Sequence, residues 1–180
     1  MDAERLSSER EVLSRHARLD DLTGAGNRRA LEQYLADLER DGVESVVHIL
    51  LDVDAFKGVN DRYGHLAGDA VLVGIGRVLE RGIRPCDLAV RLGGDEFAVV
   101  ISGADIDVAV ERATAFLRRI DGARFDCGGA RLAVALSAGV AAGPPARIRE
   151  LRAAADAALY RAKAGGGERV VRSRLARPGA

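Results

Sequence analysis

The sequence has few of the residues that mark secreted, metal-stabilised or membrane-spanning chains. It has two cysteines among 180 residues, Cys86 and Cys127, and neither has a Cys or His neighbour at metal-ligand spacing. We therefore expect neither a disulfide framework nor a zinc site, and we expect a cytoplasmic protein. No apolar run approaches the ~20 residues of a membrane helix. Residues 1–5 include three charged residues and no apolar segment follows them, so we expect no signal peptide.

Charge of one sign is also lacking, since 27 Lys and Arg residues balance 27 Asp and Glu residues. This balance argues against a protein that coats a nucleic acid polymer. Lysine is scarce as well, with only Lys57 and Lys163 in a chain that otherwise uses arginine. Because a lysine ammonium is a compact, rotatable charge suited to phosphate oxygens, these two positions are candidates for phosphate binding.

Hydrophobic periodicity predicts a mixture of helices and strands. We expect helices over 1–19, 28–40, 66–82, 105–120 and 147–164, and strands over 45–53, 87–92, 95–101, 123–127, 130–140 and 169–172. Asn27 is the expected N-cap of the second helix. In helix 105–120 the residues expected to face the core are Val108, Ala109, Ala113, Phe116, Leu117 and Ile120. Because helices and strands do not alternate strictly, the fold class is α+β, with a mostly antiparallel sheet flanked by helices.

Acidic residues follow two of the predicted strands. Asp52 and Asp54 end the buried strand 45–53, and Asp95 and Glu96 follow the Gly93-Gly94 turn of a hairpin. Carboxylates at a buried strand end are costly unless they are exposed, paired or bound to metal. If the hairpin pairs beside the buried strand, the carboxylates converge and suit Mg²⁺. The alternative is an exposed strand end beside a solvated turn.

Polar side chains continue after the buried strand. Asn60 carries both a donor and an acceptor, and Asp69 accepts hydrogen bonds, so together they suit the edge of a purine. The carboxylate of Asp69 fits the N1–H and N2–H₂ groups of guanine, whereas N1 of adenine is an acceptor. The alternative is that Asn60 and Asp69 cap helices and that Gly64 forms a turn.

Taken together, these segments closely resemble the GGDEF family, the diguanylate cyclases. Residues 51–69 and 91–97 carry the strongest similarity, and residues 20–29, 137–141 and 155–163 are similar to shorter family motifs. The resemblance covers residues 20–171, and five motifs in order are a specific signal. It implies a nucleotidyl-cyclase fold similar to the polymerase palm. It also implies condensation of two GTP into cyclic di-GMP and two pyrophosphates by a homodimer.

The resemblance also implies roles for individual residues. The implied metal ligands for Mg²⁺ (or Mn²⁺) are Asp52, Asp95, Glu96 and the Val53 carbonyl, and the implied catalytic residues are Asp95, Glu96 and Lys57. The implied GTP-binding residues are Phe56, Lys57, Asn60, His65, Asp69, Gly93, Gly94 and Lys163. Arg84 and Asp87 match an inhibitory site for the product, although an Arg and an Asp flanking a Pro turn are also common at protein surfaces.

One position departs from the family pattern. The family usually carries an arginine four residues after Lys163, where this chain has Gly167, and Arg169 could substitute only if the loop bends back. A catalytically weak or inactive module that binds cyclic di-GMP or GTP therefore stays the alternative to a cyclase. The predicted boundaries are a linker helix over 1–19, the catalytic domain over 20–172 and a disordered tail over 173–180. In the family a sensory domain often precedes such a linker.

Overall fold

One five-stranded sheet organises the part of the chain that the computed structural model describes, residues 17–175. The strands are β1 (Val46–Val53), β2 (Leu88–Gly93), β3 (Glu96–Ser102), β4 (Phe125–Asp126), β5 (Arg131–Leu132), β6 (Leu136–Gly143) and β7 (Val170–Arg174). The helices are α1 (Arg28–Arg40), α2 (Phe56–Tyr63), α3 (His65–Gly82), α4 (Ile106–Asp121) and α5 (Ile148–Ala164), with a 3₁₀ turn over Pro145–Arg147. Within the described residues no helix is long and apolar enough to cross a membrane.

The order of the sheet is β2-β3-β1-β6-β7. Its first three junctions are antiparallel, and only the junction of β6 with β7 is parallel. The prediction of a mostly antiparallel α+β sheet is therefore confirmed. β4 and β5 form a separate two-stranded ribbon.

The central strand β1 is buried along its whole length, and its two faces meet different helices. Val47, Ile49 and Leu51 belong to the cluster that includes the apolar faces of α3 and α4. Val46 and Leu50 belong to the cluster formed with α1 and α5. Because side chains alternate along a strand, Asp52 lies on the face of β1 that meets α1 and α5.

Most predicted elements lie within two residues of the observed ones. The Asn27 side chain accepts hydrogen bonds from the backbone N–H groups of Arg29 and Ala30, at 3.0 and 3.1 Å, which confirms the predicted cap. One helix, α2, was not predicted. Its eight residues contain no buried apolar side chain, so hydrophobic periodicity gives no signal for it.

Other expectations were wrong. The predicted strand 130–140 is split between β5 and β6, because the chain leaves the ribbon and then pairs with β1. Val108 is 43 % exposed, although the other five residues of α4 predicted to face the core are buried. Residues 173 and 174, expected in the tail, extend β7 alongside β6.

The first predicted helix lies mostly outside the described residues, which begin at residue 17. Residues 17–19, its expected end, form a turn and a bridge from Leu19 to Gly26.

His48 is a fully buried histidine at the centre of the sheet. Its neighbours in register are Val100 and Ala141, and neither of its ring nitrogens has a hydrogen-bond partner among the described residues. Burial lowers the pKa of His48 to about 4, and the positive charge of Arg152 adds to this effect. The imidazole is therefore neutral at physiological pH.

This histidine predicts an acid-sensitive fold. In the unfolded chain His48 binds a proton at pH values below its ordinary pKa of 6.5, whereas in the folded chain it binds one only at pH values below about 4. Stability from the neutral form is therefore complete above pH 6.5 and is lost as the pH falls toward 4. At pH 5 we expect a loss of about 2 kcal/mol. Urea denaturation at pH 7 and pH 5 measures it.

The control is His48→Leu, which keeps an apolar side chain of similar size. The variant should lose about 2 kcal/mol less than the wild type between the two pH values. An equal loss in both proteins would contradict the assignment, because carboxylates elsewhere in the chain would then account for all of it.

Candidate active site

The site is built where β1 ends. Asp52 lies in register with Glu96 on β3 and with Ser137 on β6. Asp95 occupies the turn immediately before β3. The hairpin therefore does pair beside β1, and the structure brings Asp52, Asp95 and Glu96 to one edge of the sheet.

Asp52 is the buried member of this group, with 9 % of its surface exposed. Burial raises the pKa of its carboxyl group, and the negative charges of Asp95 and Glu96 raise it further. The ammonium group of Lys163, at the end of α5, opposes this by forming an ion pair with Asp52. The edge thus concentrates negative charge, and one lysine from a distant part of the chain compensates it.

These carboxylates are candidates for binding a divalent cation. Within residues 17–175 no three acidic, His or Cys side chains form a ready-made metal site. Mg²⁺ does not require one, because it commonly takes one or two protein carboxylates together with phosphate oxygens and water. One or two of the carboxylates at the end of β1 could act in this way, since Asp95 is partly exposed and Glu96 is exposed.

The turn between β2 and β3 has a backbone that only glycine adopts easily. Gly93 and Gly94 have φ angles of +143° and +54°. Arg91 holds the turn, because its guanidinium donates to the Gly94 carbonyl from Nε and Nη2 at 3.0 and 2.7 Å. Sequence reasoning missed this role of Arg91, whose only signal was its place in the motif.

Asp20 fixes the Arg91 side chain from the other side. The Nη1 atom of Arg91 lies 3.1 and 3.2 Å from the two Asp20 oxygens. Burial alone would raise the pKa of Asp20, but hydrogen bonds from Thr23 and Arg91 outweigh it and lower the pKa. The segment 20–29 thus supports the turn that carries Asp95.

Helix α2 begins directly after the acidic strand end. Its N-cap, Ala55, has a left-handed backbone with φ of +55° and offers no side-chain cap. Phe56 and Lys57 form the first turn, with Phe56 half-buried against the core and Lys57 exposed. An uncapped helix N-terminus beside a lysine suits a phosphate group.

The α2–α3 junction brings the candidate purine-binding residues together. Asn60 lies inside α2 and Asp69 inside α3, so neither is a cap, and Gly64 makes the turn with φ of +84°. A Cβ atom on Gly68 would lie 2.0 Å from Oδ1 of Asn60. Gly68 thus allows the Asn60 amide to lie against α3 beside Asp69. His65 is exposed at the start of α3.

Arg84 and Asp87 lie before β2, at the end opposite to Gly93. The strand between Asp87 and Gly93 is about 20 Å long. The Asp87 side chain has no exposed surface and accepts hydrogen bonds from the Arg84 backbone N–H at 3.0 Å and from Arg112 at 2.8 Å. The Arg84 residue is exposed. Asp87 therefore holds its own turn and an arginine of α4, a partner that sequence spacing did not indicate.

The loop after α5 turns at its glycines, and the Arg169 side chain lies against the loop itself. Gly167, where the family pattern has arginine, has φ of +75°. Nε of Arg169 donates to the Gly167 carbonyl at 3.1 Å. A Cβ atom on Gly165 would lie 2.7 Å from Nη1 of Arg169, so that guanidinium folds over the loop.

Comparisons with known proteins show which family the chain resembles. Residues 17–169 match the family model described as "Diguanylate cyclase, GGDEF domain". The chain is 36 % identical to the diguanylate cyclase DgcP of Pseudomonas aeruginosa over 174 residues, which are 94 % of this chain and 26 % of DgcP. It is 37 % identical to the diguanylate cyclase DgcS of Shewanella oneidensis over 87 % of this chain and 53 % of DgcS. The chain thus spans about a quarter to a half of the length of these relatives.

Solved structures show the same similarity. The coiled coil and GGDEF domain of DgcB from Caulobacter crescentus, in complex with cyclic di-GMP, matches with a TM-score of 0.84 and 30 % identity, covering 96 % of this chain and 94 % of that one. The diguanylate cyclase SiaD of Pseudomonas aeruginosa, in complex with its activator SiaC, matches with a TM-score of 0.82 and 31 % identity, covering 95 % and 67 %.

Proposed function

This chain belongs to the GGDEF family, and from that premise we propose that it condenses two GTP molecules into cyclic di-GMP. Each 3′-hydroxyl oxygen attacks the α-phosphorus of the other nucleotide. Each attack forms one phosphodiester bond, breaks the bond to the β-phosphate and releases one pyrophosphate. The observation that carries the proposal is the convergence of Asp52, Asp95 and Glu96 at the end of β1, beside Lys163 and the start of α2.

The triphosphate is proposed to lie between the two lysines. Lys57 stands in the first turn of α2, and Lys163 reaches the end of β1 from α5. The Lys163 ammonium is paired with Asp52, and a cation bound at Asp52 would leave it available to phosphate oxygens. Two ammonium groups aimed at the phosphates stabilise the charge that develops on the leaving pyrophosphate.

A divalent cation, Mg²⁺ or Mn²⁺, is proposed at Asp52, Asp95, Glu96 and the carbonyl of Val53. When bound it would supply charge neutralisation at the phosphates. The proposed role of Asp95 is to accept the proton of the attacking 3′-hydroxyl group. Glu96 faces Asp52 across the strand pair and adds to the negative potential that would hold the cation.

The guanine base is proposed to lie at the α2–α3 junction. Asp69 would accept from N1–H and N2–H₂, and Asn60 would donate to or accept from the same edge. His65 and Phe56 flank the pocket. Gly93 and Gly94 would let the backbone of the turn approach the nucleotide closely.

The reaction requires a second domain, because one domain holds only one GTP. We propose a homodimer in which two such edges face each other, with cyclic di-GMP binding at Arg84 and Asp87 as a feedback inhibitor. A partner upstream, such as a sensory domain, stays a proposal. Gly167 supports the alternative, a non-catalytic module that binds cyclic di-GMP or GTP, because one phosphate-binding arginine of the family pattern is absent.

Incubation of concentrated protein with GTP and Mg²⁺, followed by chromatographic separation of the nucleotides, tests the cyclase. The wild type should form cyclic di-GMP, and Asp95→Asn should lower the rate by ~10²-fold or more, as expected for loss of a general base. The matched control is Asp126→Asn in the peripheral ribbon, which should keep the wild-type rate. If Asp95→Asn keeps full turnover, the role of Asp95 is wrong.

Absence of product from the wild type has two explanations, a failed dimer and a non-catalytic module. Fusion to a parallel coiled coil raises the local concentration of the second domain and separates them. Product that appears only in the fusion supports the cyclase, and its absence there supports the non-catalytic module.

Base selectivity tests the guanine site. Asp69→Ser removes the carboxylate that matches guanine and mismatches adenine, so the ratio of kcat/KM for GTP to that for ATP should fall by about tenfold or more. Asp61→Ser, an exposed position on α2, is the control and should leave the ratio unchanged. An unchanged ratio in Asp69→Ser would contradict the assignment of the guanine site.

Feedback inhibition tests the product site. Arg84→Ala should raise the half-inhibitory concentration of cyclic di-GMP by about tenfold or more, because an arginine–phosphate contact is lost. Arg81→Ala, an exposed arginine near the end of α3, is the control. Arg84 is the better position to change, since Asp87 also holds the fold through Arg112. Inhibition that is identical in both variants and the wild type would refute the site.

A further inference from the structure

Asp54 is a carboxylate that the proposed reaction does not use, and it connects three separate segments. The Ser137 hydroxyl lies 2.9 and 3.0 Å from its two oxygens, and the Glu168 backbone N–H donates to Oδ2 at 3.0 Å. Its own N–H donates to the Ala135 carbonyl at 2.9 Å. Asp54 thus joins the end of β1, the start of β6 and the loop between α5 and β7.

The joined segments carry the two lysines of the chain. Asp54 stands three residues before Lys57, which is the second residue of α2. Its partner Glu168 stands five residues after Lys163, in the loop that ends α5. One carboxylate is therefore connected to both of the segments that carry a lysine, although these segments are far apart in the sequence.

Backbone strain is concentrated on both sides of this carboxylate. Among the described residues, the only non-glycine residues with positive φ are Ala55 and Glu168, each at +55°. Ala55 follows Asp54 directly, and Glu168 donates to it. Left-handed residues other than glycine persist only where the surroundings hold them. The Asp54 contacts are adjacent to both residues and are part of the surroundings that hold these two segments.

Gly167 belongs to the same arrangement. A Cβ atom on Gly167 would lie 3.0 Å from Oδ2 and 3.2 Å from Cγ of Asp54. A side chain at this position would therefore be tight against the carboxylate, and the positive φ of +75° would add backbone strain. Gly167, where the family pattern has arginine, is thus in a loop that packs directly on Asp54.

We propose that Asp54 is a positioning residue, which holds the loop 165–169 against the start of α2 so that Lys57 and Lys163 address the same triphosphate. This inference rests on the proposed function, because it names what orders the two lysines of the GTP site. The two acids of the Asp52-Val53-Asp54 segment thus divide their tasks. Asp52 faces the Lys163 ammonium, and both oxygens of Asp54 face hydroxyl and backbone donors.

The test uses ligands that differ only in their phosphates. Asp54→Asn keeps the size of the side chain but replaces one acceptor with an N–H donor that faces Ser137 or Glu168. Binding of α,β-methylene GTP and of guanosine is measured by calorimetry in the presence of Mg²⁺. Affinity for the triphosphate should fall about tenfold, because the two ammonium groups would no longer be held in position for the same phosphates. Affinity for guanosine, which meets only the α2–α3 junction, should stay unchanged.

Two further variants make the test independent of overall folding. Ser137→Ala removes only the hydroxyl group. It should lower the affinity for the triphosphate by less than Asp54→Asn does, and it should leave the affinity for guanosine unchanged. Asp105→Asn changes the N-cap of α4, whose carboxylate likewise accepts a backbone N–H, and should change neither affinity. Hydrogen exchange without nucleotide should be faster in residues 165–169 of Asp54→Asn than in the wild type.

Each outcome decides the inference. A selective loss of triphosphate affinity with faster exchange in the loop supports it. Equal losses for both ligands would overturn it, because Asp54 would then act only on the stability of the fold, and unchanged affinities would overturn it as well. A wild type that binds neither ligand would refute the proposed function itself, which distinguishes that failure from a failure at Asp54.

Discussion

The site depends on one ion pair, between the buried carboxylate of Asp52 and the ammonium group of Lys163. A carboxylate at the end of a strand that is buried on both faces is costly unless a cation accompanies it. Asp95 and Glu96 increase that cost, because their negative charges act on the same carboxyl group. The end of β1 is therefore a place that requires positive charge. Lys163 supplies it, and a cation bound together with the substrate is proposed to supply it as well.

The rest of the structure serves to bring these charges together from distant positions in the sequence. The hairpin delivers Asp95 and Glu96 through its register with β1, and Arg91 with Asp20 keeps the turn in shape. Helix α5 packs on the opposite face of the sheet from α3 and α4, and its last turn carries Lys163 to the strand end. Strand register and the positions of helix ends thus bring these charged residues together.

The sequence was sufficient to predict the elements with strong apolar periodicity. It predicted the meeting of Asp52, Asp95 and Glu96 only on the condition that the hairpin pairs beside β1, which the strand register shows. It was not sufficient for α2, which has no buried apolar stripe, or for the division of 130–140 between two strand partners. It also did not indicate the contacts of Asp54 with Ser137 and Glu168, or of Asp87 with Arg112. Those contacts join residues 25 to 114 positions apart, and no local pattern encodes such a separation.

The alternation along β1 has a consequence for how errors act on this protein. Odd-numbered residues of the strand complete one half of the core, and even-numbered residues complete the other half and end in Asp52. A slip of one residue in register would exchange the two sets. It would turn Asp52 toward α3 and α4, away from Lys163, while it turned His48 to the other face. An insertion or deletion inside the strand would therefore disrupt the core and the active site together, because the same alternation of side chains determines which residues are buried and where Asp52 points.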